Sequence, residues 1–197
     1  KDDQQAKVQE DRVRVYISGA SESNANRWKS FPTFPAPGTD YKSLYLHSQG
    51  DARSFPGDGQ LNWNKPHDEP VDQYVYDPAL PTASKMESFD DRRDVEIRSD
   101  VLTYTSQPLV DPLTILGDIK LVLHAASDAP DTDWFVVLTE VAPDGQSRSF
   151  HYAPPAFRAR YREGFDQEVL LTPDQPEEFQ LPLGPAGHQI AAGHCLR

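Results

Sequence analysis

Asp133-Trp134-Phe135-Val136-Val137-Leu138-Thr139-Glu140-Val141 is the stretch whose reading decides the fold. Trp134, Val136 and Leu138 share one face at a period of two, while Phe135, Val137 and Val141 share the other. Alternation at that period belongs to a strand rather than a helix. A strand apolar on both faces reads as central and covered from both sides. Ala142-Pro143-Asp144-Gly145 follows it and reads as a hairpin turn into a second strand over residues 147–152.

Outward from this stretch the same period recurs. Val13, Val15 and Ile17 share a face, as do Leu44 and Leu46. Residues 73–77 alternate around Tyr74 and Tyr76, and residues 101–106 are rich in β-branched and aromatic side chains. Ile119, Leu121 and Leu123 alternate with Lys120, Val122 and His124. Phe157, Ala159 and Tyr161 alternate with Arg158, Arg160 and Arg162, a one-sided strand, and Phe179, Leu181 and Leu183 give the last candidate. Helical periodicity is nearly absent. With 18 prolines and 11 glycines among 197 residues, turns punctuate every run. Residues 48–70 and 78–91 read as two long loops. Eight or more short strands separated by turns predict an all-β sandwich or barrel. Trp134, Val136, Leu138, Leu121, Leu123, Val101 and Tyr161 are the expected core. Residues 1–11 form a polar N-terminal segment without an apolar stripe, and residues 12–197 form the β-domain.

The charge is −12, from 31 acidic and 19 basic side chains, which disfavours binding to nucleic acid or an anionic membrane surface. No apolar run approaches the roughly 18 residues of a membrane-spanning helix. Cys195 is the single cysteine, so neither an intrachain disulfide nor a cysteine-based zinc site is expected, and the compartment stays open.

A complete catalytic apparatus is not legible. Ser18-Gly19-Ala20-Ser21-Glu22 lacks the second glycine of a G-x-S-x-G nucleophile elbow. Histidines 47, 67, 124, 151, 188 and 194 make no H-E-x-x-H pair. Asp128, Asp131 and Asp133 make an oxygen-rich cluster that either holds calcium or caps a turn; it lacks the glycine and terminal glutamate of an EF-hand loop. Residues 90–94 read as a solvated charge run. The arginines at 158, 160 and 162 are expected to face acidic loops or an acidic partner domain. No cofactor is expected.

The order of several strings carries more. Val15-Tyr16-Ile17-Ser18-Gly19-Ala20 is followed by Asn26-Arg27-Trp28 and a Pro-rich stretch. Then come Asp72-Gln73-Tyr74-Val75-Tyr76-Asp77-Pro78, Asp91-Arg92-Arg93, and Arg98-Ser99-Asp100-Val101-Leu102-Thr103-Tyr104. Ser127-Asp128-Ala129-Pro130-Asp131-Thr132-Asp133-Trp134, Val141-Ala142-Pro143-Asp144-Gly145 and Phe157-Arg158-Ala159-Arg160-Tyr161-Arg162 complete the series. In this order they resemble the carboxy-terminal domain of the Xaa-Pro dipeptidyl-peptidase and cocaine-esterase-like (CocE/NonD) serine hydrolases. The resemblance covers about residues 12–197.

That resemblance implies a jelly-roll β-sandwich, galactose-binding-domain-like, placed after an α/β-hydrolase catalytic domain that carries the Ser-Asp-His triad. No catalytic residue is carried over to this chain. The implied role is an accessory domain that braces the catalytic domain and walls part of its substrate pocket. The implied substrate-facing loop spans residues 79–90, with Met86 and Phe89 as pocket candidates. It lacks the glycine pair of many relatives. Gly193-His194-Cys195-Leu196-Arg197 corresponds to a motif after which relatives continue, so the sandwich is expected to be truncated at its C-terminal end. The alternative function is a free-standing carbohydrate-binding module, with Trp28, Trp63 and Tyr74 as candidate aromatics.

Overall fold

The computed structural model describes residues 13–19, 27–53, 57–80, 91–150 and 156–197. The fold is an all-β sandwich of the jelly-roll kind. Its first layer has the order β2-β1-β11-β6, built from β1 (Val13–Gly19), β2 (Arg27–Phe31), β6 (Leu113–Ala125) and β11 (Glu177–Ile190). The second layer holds two short sheets: β10-β7, from β7 (Asp133–Trp134) and β10 (Phe157–Arg158), and β12-β8-β9, from β8 (Thr139–Val141), β9 (Ser147–Ser149) and β12 (Cys195–Leu196). A third sheet, β3 (Tyr45–His47), β4 (Gln60–Asn62) and β5 (Thr105–Ser106), supplies Leu61 and Leu46 to one end of the core. One short helix, α1 (Arg93–Glu96), lies among the described residues. No helix there is long and apolar enough to cross a membrane.

The long antiparallel pair β6–β11 is the spine. Its ladder runs from Glu177↔Ala125 to Ile190↔Leu113, with one irregularity between Pro182 and Gly184. Proline cannot donate to a ladder, and the local register shift accommodates it. Phe179, Leu181 and Leu183 point inward and are almost wholly buried. They pack with Trp134, Ala159 and Leu171, and with Ile119, Leu121, Leu123, Val136 and Leu138 around them. Burial of each such side chain contributes roughly 1.5–3 kcal/mol. Trp134 meets Phe179 edge to face at 5.4 Å between ring centres. A second cluster, Leu61, Ile190 and Leu196, continues the core toward β3 and β4.

The expected hairpin at residues 142–145 is present. Gly145 N–H donates to Ala142 O at 2.8 Å, and Gly145 takes the left-handed φ of +84° that suits glycine.

Several expectations are corrected. Residues 73–77 form no strand; Tyr74 packs against the core from a loop instead. Of residues 101–106 only Thr105–Ser106 are strand, and Val101 is half-buried outside both core clusters. The loop expected over residues 48–70 contains β4. The one-sided strand at residues 157–162 stops after Arg158 and turns into a 3-10 helix, Ala159–Tyr161. Asp131 takes both the Arg160 backbone N–H (3.0 Å) and its Nε (2.7 Å), which pulls the chain out of the extended form. Tyr161 therefore lies outside the core clusters, with its hydroxyl donating to Glu168 at 2.7 Å. The 133–141 stretch is broken into β7 and β8, and it is not covered on both sides: Phe135 is 65% exposed and Val137 38%.

Candidate functional site

Met86 and Phe89, the expected pocket residues, lie outside the described residues. The flanks of their loop are described and tightly held. On the entry side Asp77 caps a turn, accepting from Ala79 N–H at 2.8 Å, and Leu80 O accepts from Arg98 Nη2 at 3.0 Å. Arg98 also forks onto Asp100 at 2.8 and 2.6 Å, which holds the Asp100 carboxyl below its ordinary range. On the exit side Asp91 bridges to Arg148 of β9, and Arg92 N–H donates to Ser147 O at 2.8 Å.

Helix α1 follows at once and ends in Glu96, a buried carboxylate. Glu96 accepts from Ser147 Oγ and from Thr139 Oγ1, and it pairs with Arg197 Nη1. Arg197 is itself braced by Thr105 Oγ1 at 2.8 Å. Thr139 of β8, Ser147 of β9 and the C-terminal arginine thus pin α1 onto the outer face of the second layer. A buried pair of this kind costs desolvation, which the bonds from Ser147, Thr139 and Thr105 help to offset.

Two of the three clustered aspartates, Asp131 and Asp133, are brought together with the arginines. Asp131 Oδ2 accepts from Arg158 Nη1 (3.0 Å) and Arg160 Nε (2.7 Å), and Asp133 Oδ1 lies 2.8 Å from Arg158 Nε. Burial pushes the Asp131 carboxyl up, but the bonds from Arg160 and Arg158 outweigh it and leave it below the usual range. Arg162 pairs with Glu177 at 2.6 Å. Arg158, Arg160 and Tyr161 line a shallow depression of about 360 Å³. Among the described residues no group of three His, Cys, Asp or Glu side chains is placed to hold a metal ion.

Sequence reasoning missed a polar seam between the layers. Glu140 of β8 points inward at His188 of β11, Oε2 to Nε2 at 2.8 Å, and its Oε1 accepts from Ala191 N–H at 3.1 Å. His194 Nδ1 lies 2.8 Å from Glu140 Oε1 but out of line for a hydrogen bond. Ser18 Oγ is 2.8 Å from His188 Nδ1 and 3.2 Å from Gly187 O, and Phe150 stacks on the imidazole at 4.5 Å. Burial raises the Glu140 carboxyl; the His188 bond, the Ala191 N–H and the two nearby imidazoles bring it below its ordinary value. The line Ser18–His188–Glu140 has the members of a nucleophilic triad with the ring reversed, Nδ1 toward serine and Nε2 toward carboxylate, and the histidine is buried under Phe150. It serves as a pin between layers. The sequence signal was Glu140 itself, a carboxylate near the end of a mostly apolar stretch.

A second polar cluster floors a groove of about 380 Å³ lined by Leu46, Pro66, Pro70 and His124. Asp72 receives Ser48 Oγ and Tyr104 OH, each at 2.7 Å, and Ala52 N–H at 2.9 Å. Burial, followed by the Asp72 bond, pushes the Tyr104 phenol up. Beside it His47 faces Glu69 Oε1 (2.6 Å) and Asn64 O (2.8 Å). Two acceptors at the two ring nitrogens favour the imidazolium, and the Glu69 bond raises the His47 pKa. The candidate sugar-binding aromatics sit in different settings. Trp28 is exposed on β2 against Tyr16 and Arg14, Trp63 is exposed after β4, and Tyr74 packs on the core.

Comparison with known proteins agrees with this geometry. Residues 6–197 match the family described as X-Pro dipeptidyl-peptidase C-terminal non-catalytic domain. The chain is similar to a cocaine esterase of Rhodococcus sp. (strain MB1 Bresler), 30% identical over 194 residues, covering 94% of this chain and 33% of the esterase. A putative serine esterase of Mycobacterium bovis (strain ATCC BAA-935 / AF2122/97) is 29% identical over 87% of this chain and 30% of its own. Among solved structures, an alpha-amino acid ester hydrolase superposes with TM-score 0.77 at 29% identity, over 93% of this chain and 32% of that one. An aminopeptidase from a marine sediment Thaumarchaeota archaeon gives 0.76 at 27%, over 93% and 31%. The chain spans about a third of the length of these relatives.

Proposed function

The chain belongs to the X-Pro dipeptidyl-peptidase C-terminal non-catalytic domain family, and on that premise we propose that it is the accessory sandwich of a serine hydrolase, bracing an α/β-hydrolase catalytic part and walling its substrate pocket with the loop at residues 79–90. The observation that carries this reading is the match itself: almost the whole chain aligns, yet it accounts for about a third of relatives named as esterases, an ester hydrolase and an aminopeptidase. The remaining two thirds is where their chemistry is expected to reside. The fixed flanks of the loop support the pocket role, because a loop can shape a site only when its ends are held by a rigid scaffold.

Met86→Ala and Phe89→Ala in the parent hydrolase test the pocket role. Each is expected to lower kcat/KM by an amount equivalent to about 1–2 kcal/mol, with the melting temperature little changed. Unaltered kinetics beside several degrees of lost melting temperature would assign both side chains to the core instead.

A further inference from the structure

We propose that the outer face of the second layer at Phe135 and Val137 is the surface on which the hydrolase catalytic part seats; this rests on the accessory-domain reading above and names its contact. The first ground is the conflict between sequence and structure in this stretch. Its pattern is that of a strand buried on both faces, and the structure buries one. Trp134, Val136 and Leu138 enter the core, whereas Phe135 is 65% exposed and Val137 38%. A phenylalanine ring near an exposed valine on the extended stretch between β7 and β8 is unfavourable in water without a partner.

The second ground is how far the chain covers this face itself. Thr139 and Val141 continue the same alternation and are buried, as are Ser147 and Ser149 opposite them on β9. The cover over Thr139 and Ser147 comes from α1 through Glu96, with Arg197 beside them. Coverage by described residues stops at Thr139 and leaves the next two outward positions bare. The third ground is the available occupant. About two thirds of each relative's length lies outside the match, and the family is defined as the non-catalytic domain of such a hydrolase. Beside the face Asp133 pairs with Arg158 at 2.8 Å, so these two charges neutralise each other. An apolar centre with a neutralised rim suits a permanent contact within one protein.

Cysteine labelling at Phe135→Cys and Val137→Cys in the parent hydrolase tests this. The reference is Val122→Cys, at an exposed position on β6 of the opposite layer close to Val137 in openness. Modification by N-ethylmaleimide is followed at each position by peptide mass spectrometry, in the parent and in this chain alone. In the parent, positions 135 and 137 are expected to label at least tenfold more slowly than 122. In the chain alone all three are expected to label at similar rates. Similar rates in the parent would overturn the proposal. So would protection at 135 and 137 in the chain alone, which would mean that its own segments cover the face. Protection lost on dilution would assign the face to a second copy and overturn it too. Melting of the parent with and without this domain separates the failures. Fast labelling with a lowered melting temperature on deletion sinks only the face; an unchanged melting temperature on deletion sinks the bracing role.

Discussion

Trp134 sits where both layers meet, edge-on to Phe179, and Glu96 sits where α1 meets β8, β9 and Arg197. Trp134→Ala is expected to cost about 3–5 kcal/mol by urea midpoint analysis, because a large ring leaves a cavity that a sheet spine cannot collapse into. A cost below 1 kcal/mol would place the ring outside the core. Glu96→Gln removes the carboxylate that pairs with the buried Arg197 guanidinium, and is expected to cost about 3–5 kcal/mol. A near-neutral result would mean that water reaches the arginine. His47 gives a pH dependence. Its folded pKa is raised above 6.5, so the stabilisation from its Glu69 and Asn64 bonds is complete below pH 6.5 and is lost as pH rises through the folded value. Glu140 works the other way: its folded pKa lies below 4.5, so its contribution is present above pH 4.5 and is lost as pH falls through the lower folded value. Unfolding midpoints measured across pH should therefore fall at both ends. His47→Gln should remove the decline above pH 6.5, and a decline that persists would place its origin elsewhere.

At the scale of elements, the alternation of Ile119, Leu121 and Leu123 against Phe179, Leu181 and Leu183 was legible because both strands are one-sided and their pairing buries the apolar set. The full length of β11 was not, since Pro182, Gly184, Pro185 and Gly187 read as turn signals. The ladder survives them by a register shift. Gly187 also lets β1 approach: a Cβ there would meet Tyr16 O at 2.8 Å and Val15 at 2.9 Å. Gly187→Ala is expected to loosen the β1–β11 pair, seen as faster amide exchange at Ser18 and Gly19 with β6 unaffected. Unchanged exchange in β1 would contradict that packing. The arginine row at 158–162 was correctly expected to meet acidic groups, but its turn out of the strand into a 3-10 helix was not foreseeable, because Asp131 lies 29 positions from Arg160 and acts through both backbone and side chain. The Glu140–His188 pin spans 48 positions and left only a lone carboxylate as its trace.

For the whole molecule, the sandwich class followed from period-two patterning and turn spacing, and the family from the order of short strings. Among the structural errors was the expectation that the 133–141 strand is covered on both sides, whereas Phe135 and Val137 are exposed. Sequence records that a face is apolar but not what covers it. An accessory domain should accordingly be inert by itself and consequential in context. The isolated chain is expected to turn over neither p-nitrophenyl esters nor Ala-Pro-p-nitroanilide, since its Ser18–His188–Glu140 line is reversed and its histidine buried. The most direct measurement is the parent hydrolase with and without residues 12–197, compared by melting temperature and kcat/KM. The account predicts that the shortened enzyme melts several degrees lower and loses at least tenfold in kcat/KM. A shortened enzyme as stable and as active as the parent would contradict it.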